Sequence, residues 1–214
     1  MHPAAQATFT SAASVGAASA IAFNSNGVFH AEGASFAIPA ATEVIVNNIG
    51  GVSGSEDLTN GGTFEVDDAL TLTVSGVVSG SGILRKTGAG TLLLDAENTL
   101  AGPLVVSQGL VGGAGKVGAV ELADGAGFRV SATQAAPFEI GTLTIDGDIA
   151  LDIANFAAAN ADRIAVAKVG TLSGMLPGSP VSMTIDGRES KSLRLSLSGG
   201  VIYAERCPFV IIVR

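Results

Sequence analysis

Two histidines, one cysteine, one tyrosine and no tryptophan are the whole supply, in 214 residues, of the side chains on which much catalysis and ligand stacking depends. The histidines are His2 and His30. A Ser/His/Asp triad or a histidine-rich zinc site would have to be built on a single useful imidazole, while such sites need several convergent partners. His30 is therefore read as a strand-end residue, with no metal and no cofactor assigned to the chain. Cys207 has no second cysteine to pair with, so an intrachain disulfide is excluded. It precedes Pro208 with no base beside it and reads as a packed thiol. Basic residues are also few, 11 against 19 acidic, and the net charge is −8. They are scattered rather than gathered in a stripe with aromatics, so nucleic acid is not an expected partner. No apolar run approaches the roughly 20 residues of a helical membrane span, so membrane insertion is not expected either. Met1 is followed by His2-Pro3 and small residues, without the basic and Leu-rich regions of a signal peptide, and none is expected within this chain.

What is abundant is glycine and small aliphatic side chains. There are 29 glycines, far above the roughly 7% average, and 47% of the chain is apolar although only 5% is aromatic. That apolar content excludes a disordered chain. The apolar residues come in runs of three to six, bounded by Gly, Asn and Asp. Such runs are too short for stable isolated helices, which need roughly 12–15 residues, and they read as strands.

The pattern is densest from Gly80 to Val111, GSGILRKTGAGTLLLDAENTLAGPLVVSQGLV. Gly80, Gly82, Leu84, Lys86, Gly88, Gly90, Leu92, Leu94, Asn98, Gly102, Val106, Gly109 and Val111 fall at the spacing of a known motif. The stretch resembles the autotransporter-associated β-strand repeat of bacterial passenger domains. Leu100 stands where that repeat usually has an aromatic, Pro103 follows the turn glycine, and only one clean copy is present. The resemblance implies a secreted protein, or one on the outer surface of a Gram-negative-type bacterium, with a β-helical body. It implies no particular activity, since passengers include adhesins, enzymes and inert stalks.

Taken in order, residues 1–20 are Ala/Ser/Thr-rich and read as a flexible segment, with an edge strand through Thr8-Phe9-Thr10 as the alternative. Residues 21–131 carry apolar runs roughly every 8–12 residues and read as a β-solenoid repeat region. Asn24 to Gly27 marks its first hairpin or corner. At residues 132–137 the texture changes to longer runs, and Ser192 to Leu197 alternates strictly. Residues 132–214 are thus expected to form an antiparallel β cap, with the apolar tail 207–213 docked as an edge strand. The segment between Asp152 and Asp162 is the one helix candidate, read as a helical turn or loop. The expected fold class is all-β, a short β-helix-like solenoid with a C-terminal β sandwich or meander cap. A single two-sheet β-sandwich is the alternative.

Three patterns could carry chemistry. Gly113 to Gly118 matches G-x-G-x-x-G, but Ala119 to Leu122 after it is strand-like, and a phosphate cradle needs a helix there. Glu56-Asp57, Asp67-Asp68 and Asp124 sit in Gly-rich loops without a calcium-repeat motif and read as solvated acids. Thr144-Ile145-Asp146-Gly147 and Thr184-Ile185-Asp186-Gly187 repeat one tetrapeptide at strand ends. Two acids brought together could share a proton, as aspartic proteases require, or stand at glycosidase spacing. The plainer reading is that Asp-Gly is a turn pair and the repeat marks related hairpins. Asp148 and Asp152 are the next acids in line. The leading expectation is a non-enzymatic structural or adhesive module engaging host glycoprotein such as mucin, the partner resting on the resemblance. The alternative is a mucin-degrading hydrolase, protease or glycosidase, acting through Asp146 and Asp186.

Overall fold

The computed structural model describes residues 5–24, 26–48, 60–159 and 161–206. His2, Glu56-Asp57 and the tail from Cys207 onward, each given a reading above, lie outside the described residues. The chain is all-β. Its strands form a ten-stranded, an eight-stranded and a three-stranded sheet. Two single-turn helices, Ala12–Val15 and Phe156–Ala159, interrupt them.

Strand alternation sets the faces. In Gly61–Val66 the side chains of Phe64 and Val66 are buried while Thr63 and Glu65 are half-buried outward. In Thr71–Val74 Leu72 and Val74 point in, and Thr71 and Thr73 out. Because side chains alternate with period two, each such strand offers one apolar face to a core.

The pairing is parallel almost throughout. From residue 83 the chain visits the ten-stranded sheet with Ile83–Thr87, the eight-stranded sheet with Thr91–Leu94, and then returns. On return, Leu104–Val106 pairs parallel with Ile83–Thr87, and Leu110–Gly112 pairs parallel with Thr91–Leu94. Lys116–Leu122, Gly127–Ser131, Phe138–Ile145, Ala150–Ala154 and Arg163–Ser173 extend the same two ladders in the same order. The three-stranded sheet, Ala20–Phe23, Glu43–Val46 and Val78–Gly80, lies among the earlier residues and is parallel too.

In-register parallel pairing lines equivalent residues up in columns. On the eight-stranded sheet Leu72, Leu92, Val111, Phe128, Leu151 and Met183 follow one another across the ladder, all buried. On the ten-stranded sheet Leu84, Leu104, Val120 and Leu143 do the same. A fully buried Leu or Phe contributes about 2–3 kcal/mol relative to exposure. Each pass of the chain gains that only if the next pass covers it.

The corners carry Asn98 and several of the glycines between Gly80 and Gly109. Asn98 accepts a hydrogen bond from the Val78 amide at 2.8 Å and donates to the carbonyls of Ala96 at 2.9 Å and Lys116 at 3.0 Å. One side chain thereby satisfies three backbone groups that a corner takes out of the ladder. Gly88 has φ +74°, a turn conformation that costs an L side chain energy. At Gly102 the constraint is proximity, since a Cβ there would lie 2.2 Å from the Gly82 carbonyl oxygen of the neighbouring pass.

Two sequence readings are corrected and a third is narrowed. Residues 5–20 take the edge-strand alternative rather than the flexible reading: Gln6–Phe9 is the edge strand of the ten-stranded sheet, Phe9 stacks on Phe29 at 3.9 Å, and Val15 is buried. Of the hairpin or corner expected before Gly27, the corner is found, because Ala20–Phe23 and Gly27–Ala31 belong to different sheets. The change of texture at residue 132 lengthens the strands without reversing them. Parallel pairing runs on to Ser182–Ile185, and antiparallel pairing is confined to the partners of Arg188–Glu189, Leu193–Ser198 and Val201–Arg206. The helix candidate is a single turn, Phe156–Ala159.

These contacts predict opposite outcomes for two glycine substitutions. Gly102→Ala is expected to lower stability by about 2–4 kcal/mol, as overpacking against backbone does. Gly118→Ala, whose Cβ would sit 3.4 Å from its nearest neighbour, is expected to change it by less than about 0.5 kcal/mol. Urea unfolding of the two variants beside wild type measures both.

Candidate functional site

The two TIDG tetrapeptides do different jobs. Asp146-Gly147 leaves the ten-stranded sheet at the end of Phe138–Ile145 and turns toward the eight-stranded one, with Gly147 at φ +103°. Asp186-Gly187 closes a tight hairpin in which Ile185 faces Arg188. Both of its central residues have positive φ, 50° and 76°, as a type I′ turn requires. Asp186 is spoken for. Its two carboxylate oxygens accept the amides of Phe156 and Ala157, each at 3.0 Å, and so cap the short helix. Those amides, Ala157 first and then Phe156, hold its pKa below the ordinary carboxylate value and occupy both of its oxygens. No hydrogen bond joins Asp146 to Asp186 among the described residues. Asp148 offers its backbone amide to the Asp124 carboxylate at 2.8 Å, so Asp124 works as a corner cap. Asp67 is drawn to His30 rather than to a ring of carboxylates.

The acid with the most developed surroundings is Asp152. Ladder register places Arg129, Asp152 and Thr184 in one row on the outward face of the eight-stranded sheet. Arg129 donates to Asp152 Oδ2 at 2.5 Å, and the Thr184 hydroxyl donates to Oδ1. Beside this row lies a groove of about 330 Å³ lined by Gln108, Leu110, Asp152, Ser182 and Thr184, among others. Ser182 and Thr184 also line a second depression, of about 640 Å³, with Ser179, Glu189, Ser190 and Lys191. Strand Ser182–Ile185 therefore stands between two hollows of mixed lining, each with hydroxyls and charged side chains among apolar ones. Hydroxyls, an amide, a carboxylate and an ammonium are the donors and acceptors that a hydroxyl-rich ligand can use. No aromatic side chain lines either hollow. Sequence alone marked Asp152 as an acid to inspect; it could not show the row, which exists only once the register of three strands separated in sequence is known.

The most unusual charge is elsewhere. Lys86 is completely buried, in the inward column of the ten-stranded sheet between Phe64 and Val106. Its ammonium donates to the carbonyls of Thr87 at 2.8 Å, Gly88 at 2.7 Å and Gln108 at 3.1 Å. An ammonium has three protons to give, and three oxygens of two successive corners take them. Burial pushes its pKa down to about 8 from 10.5. Lys86 is thus an internal tie rather than a solvated charge, with no exposed surface of its own.

His30 faces outward from Gly27–Ala31, with Nε2 2.8 Å from Asp67 Oδ1 and Nδ1 3.2 Å from the Gln6 side-chain nitrogen. The hydrogen bond to Asp67 is the main cause of its raised pKa, followed by the nearby acids Glu65, Asp67 and Glu32, with burial opposing. The strand-end reading missed these neighbours. H-x-E at 30–32 and E-x-D at 65–67 each put two polar side chains on one strand face, a signal that becomes a cluster only when the two strands pair.

Lys86 carries a pH prediction. The unfolded chain keeps its lysine near 10.5, so between about pH 8 and 10.5 it binds more protons than the folded one, and stability from this residue rises with pH. Lys86→Met removes the titration and orphans three carbonyls, which is expected to cost about 2 kcal/mol at pH 7. The stability gap between wild type and variant should then widen by up to about 3 kcal/mol across that window. Urea midpoints at pH 7, 8, 9 and 10 measure it, and a constant gap would contradict the assignment. Comparisons of the chain with protein-family models, with curated proteins and with solved structures find no match.

Proposed function

We propose that this chain is a β-solenoid of the autotransporter-passenger kind, acting as a secreted or surface-exposed binding module for glycoprotein rather than as an enzyme. The observation that carries the binding role is the pair of hollows flanking Ser182–Ile185, which set hydroxyl and charged groups among apolar ones, with Asp152 held between Arg129 and Thr184. A rigid ladder that fixes hydroxyl, amide and carboxylate groups in rows suits a repeating, hydroxyl-rich ligand, because little side-chain freedom is lost on binding. The solenoid reading is supported by the ordered return of the chain to the same parallel ladders, and by corner residues at the repeat's Asn98, Gly88 and Gly102.

The acid-pair hydrolase is the weaker reading. Both carboxylate oxygens of Asp186 are engaged in capping the short helix, and no hydrogen bond joins it to Asp146 among the described residues. Mucin, as a dense display of glycans, is the probe of choice for the binding role.

The expected outcome is retention of the full chain on immobilised mucin, with the mucin recovered intact between pH 4 and 7. Ser182→Ala/Thr184→Val is expected to weaken retention about tenfold, the loss of one or two hydrogen bonds to a buried ligand group. Fragmented mucin that Asp146→Asn or Asp186→Asn protects would reverse the choice between the two readings. Retention unchanged in the double variant would place binding elsewhere on the chain.

A further inference from the structure

The outward face of the first strands of the ten-stranded sheet carries a polar cluster unrelated to the hollows around Ser182–Ile185. His30 lies directly across the ladder from Glu65. Glu32 and Asp67 follow two residues later along the two paired segments. Their backbones are fixed by the sheet: the Glu32 amide donates to the Phe9 carbonyl at 3.0 Å, and the Asp67 amide to the Ala31 carbonyl at 3.2 Å. The imidazole stands between the two acids, with Nε2 2.8 Å from Asp67 Oδ1 and Nδ1 4.0 Å from Glu32 Oε2. One nitrogen or oxygen from each of His30, Glu32 and Asp67 lies within 4.8 Å of the others.

Negative charge is concentrated here. Three carboxylates, those of Glu32, Glu65 and Asp67, surround a single imidazole. One imidazole nitrogen with two carboxylate oxygens is a donor set for a borderline divalent cation, while calcium and magnesium are usually held by oxygens alone. Zinc bonds of about 2.0–2.2 Å place ligand atoms roughly 3.3–3.6 Å apart in a tetrahedron. From the present arrangement that takes side-chain rotations of about an ångström and leaves the paired backbone where it is.

We propose that His30, Glu32 and Asp67 form a three-residue site for a divalent transition cation of the zinc class, on the outward face of the first ladder strands. The ion ties Gly27–Ala31 to the corner that follows Gly61–Val66, and water or the Gln6 side chain fills the fourth position. It neutralises the local excess of carboxylates, and so it fastens the strands nearest the sheet's edge at Gln6–Phe9. This site is independent of the glycoprotein reading.

Calorimetric titration of the full chain with Zn²⁺ at pH 7.5 tests it, beside His30→Gln and Asp67→Asn. Both variants alter exposed or half-buried side chains and keep their polarity, and far-UV circular dichroism checks that they fold. The expected result is one Zn²⁺ per wild-type chain, with affinity falling about tenfold or more in each variant, since even outer-shell partners of a metal are worth that much. Excess Ca²⁺ is expected not to displace it. Absence of binding, binding unchanged in His30→Gln, or ready displacement by Ca²⁺ would each overturn the proposal.

Discussion

Every pass of this chain depends on the next one for its backbone hydrogen bonds and for cover over its apolar face. In a parallel ladder no strand can close on its own neighbour through a short hairpin, so each connection must turn a corner and travel before it pairs. The buried columns, such as Leu72 through Met183, are the stabilising consequence of that arrangement. The corners are its cost, because they remove amides and carbonyls from the ladder. Asn98 and Lys86 are two answers to that cost, a neutral amide serving three backbone groups and an ammonium serving three carbonyls of two successive corners.

Lys86 shows how far the constraint reaches. A buried charge is ordinarily costly, and its lowered pKa records that. It is accommodated because its four-carbon stem fills a place in an apolar column while its head meets oxygens that would otherwise be unsatisfied. Its position between Phe64 and Val106 also shows how a lysine can stand where alternation demands an inward residue. On the outward face the same register does different work. It sets Arg129, Asp152 and Thr184 in one row and His30 opposite Glu65 in another, so surface chemistry here is assembled from residues twenty or more positions apart.

That explains what could be read before the structure. The strands were legible because short apolar runs and period-two alternation are local, and so were the turns at Gly88 and Asp186-Gly187. The resemblance of residues 80–111 to a passenger repeat picked out Asn98, Gly102 and Lys86 as special without saying what they do. The direction of pairing after residue 132 was not legible, since Phe138–Ile145 and Arg163–Ser173 have the same alternation in a parallel or an antiparallel neighbourhood. Nor were the outward clusters, because His30 and Asp67, or Asp152 and Thr184, become neighbours only through register. The two TIDG segments looked equivalent for the same reason; one is a corner and the other a hairpin.

The parallel register is the claim on which both the hollows and the His30 cluster rest, and distances along one outward row test it directly. Thr63, Arg85, Val105, Glu121, Thr144 and Ser173 succeed one another across the ten-stranded sheet. With Cys207 replaced, nitroxide labels at Thr63 paired with Thr144 or with Ser173 would be measured by pulsed electron paramagnetic resonance. Strands about 4.8 Å apart predict label separations near 19 Å and 24 Å, rising by one strand spacing. Separations that do not increase in that order, or that exceed these values by more than about 10 Å, the width of a packed sheet pair, would contradict the ladder.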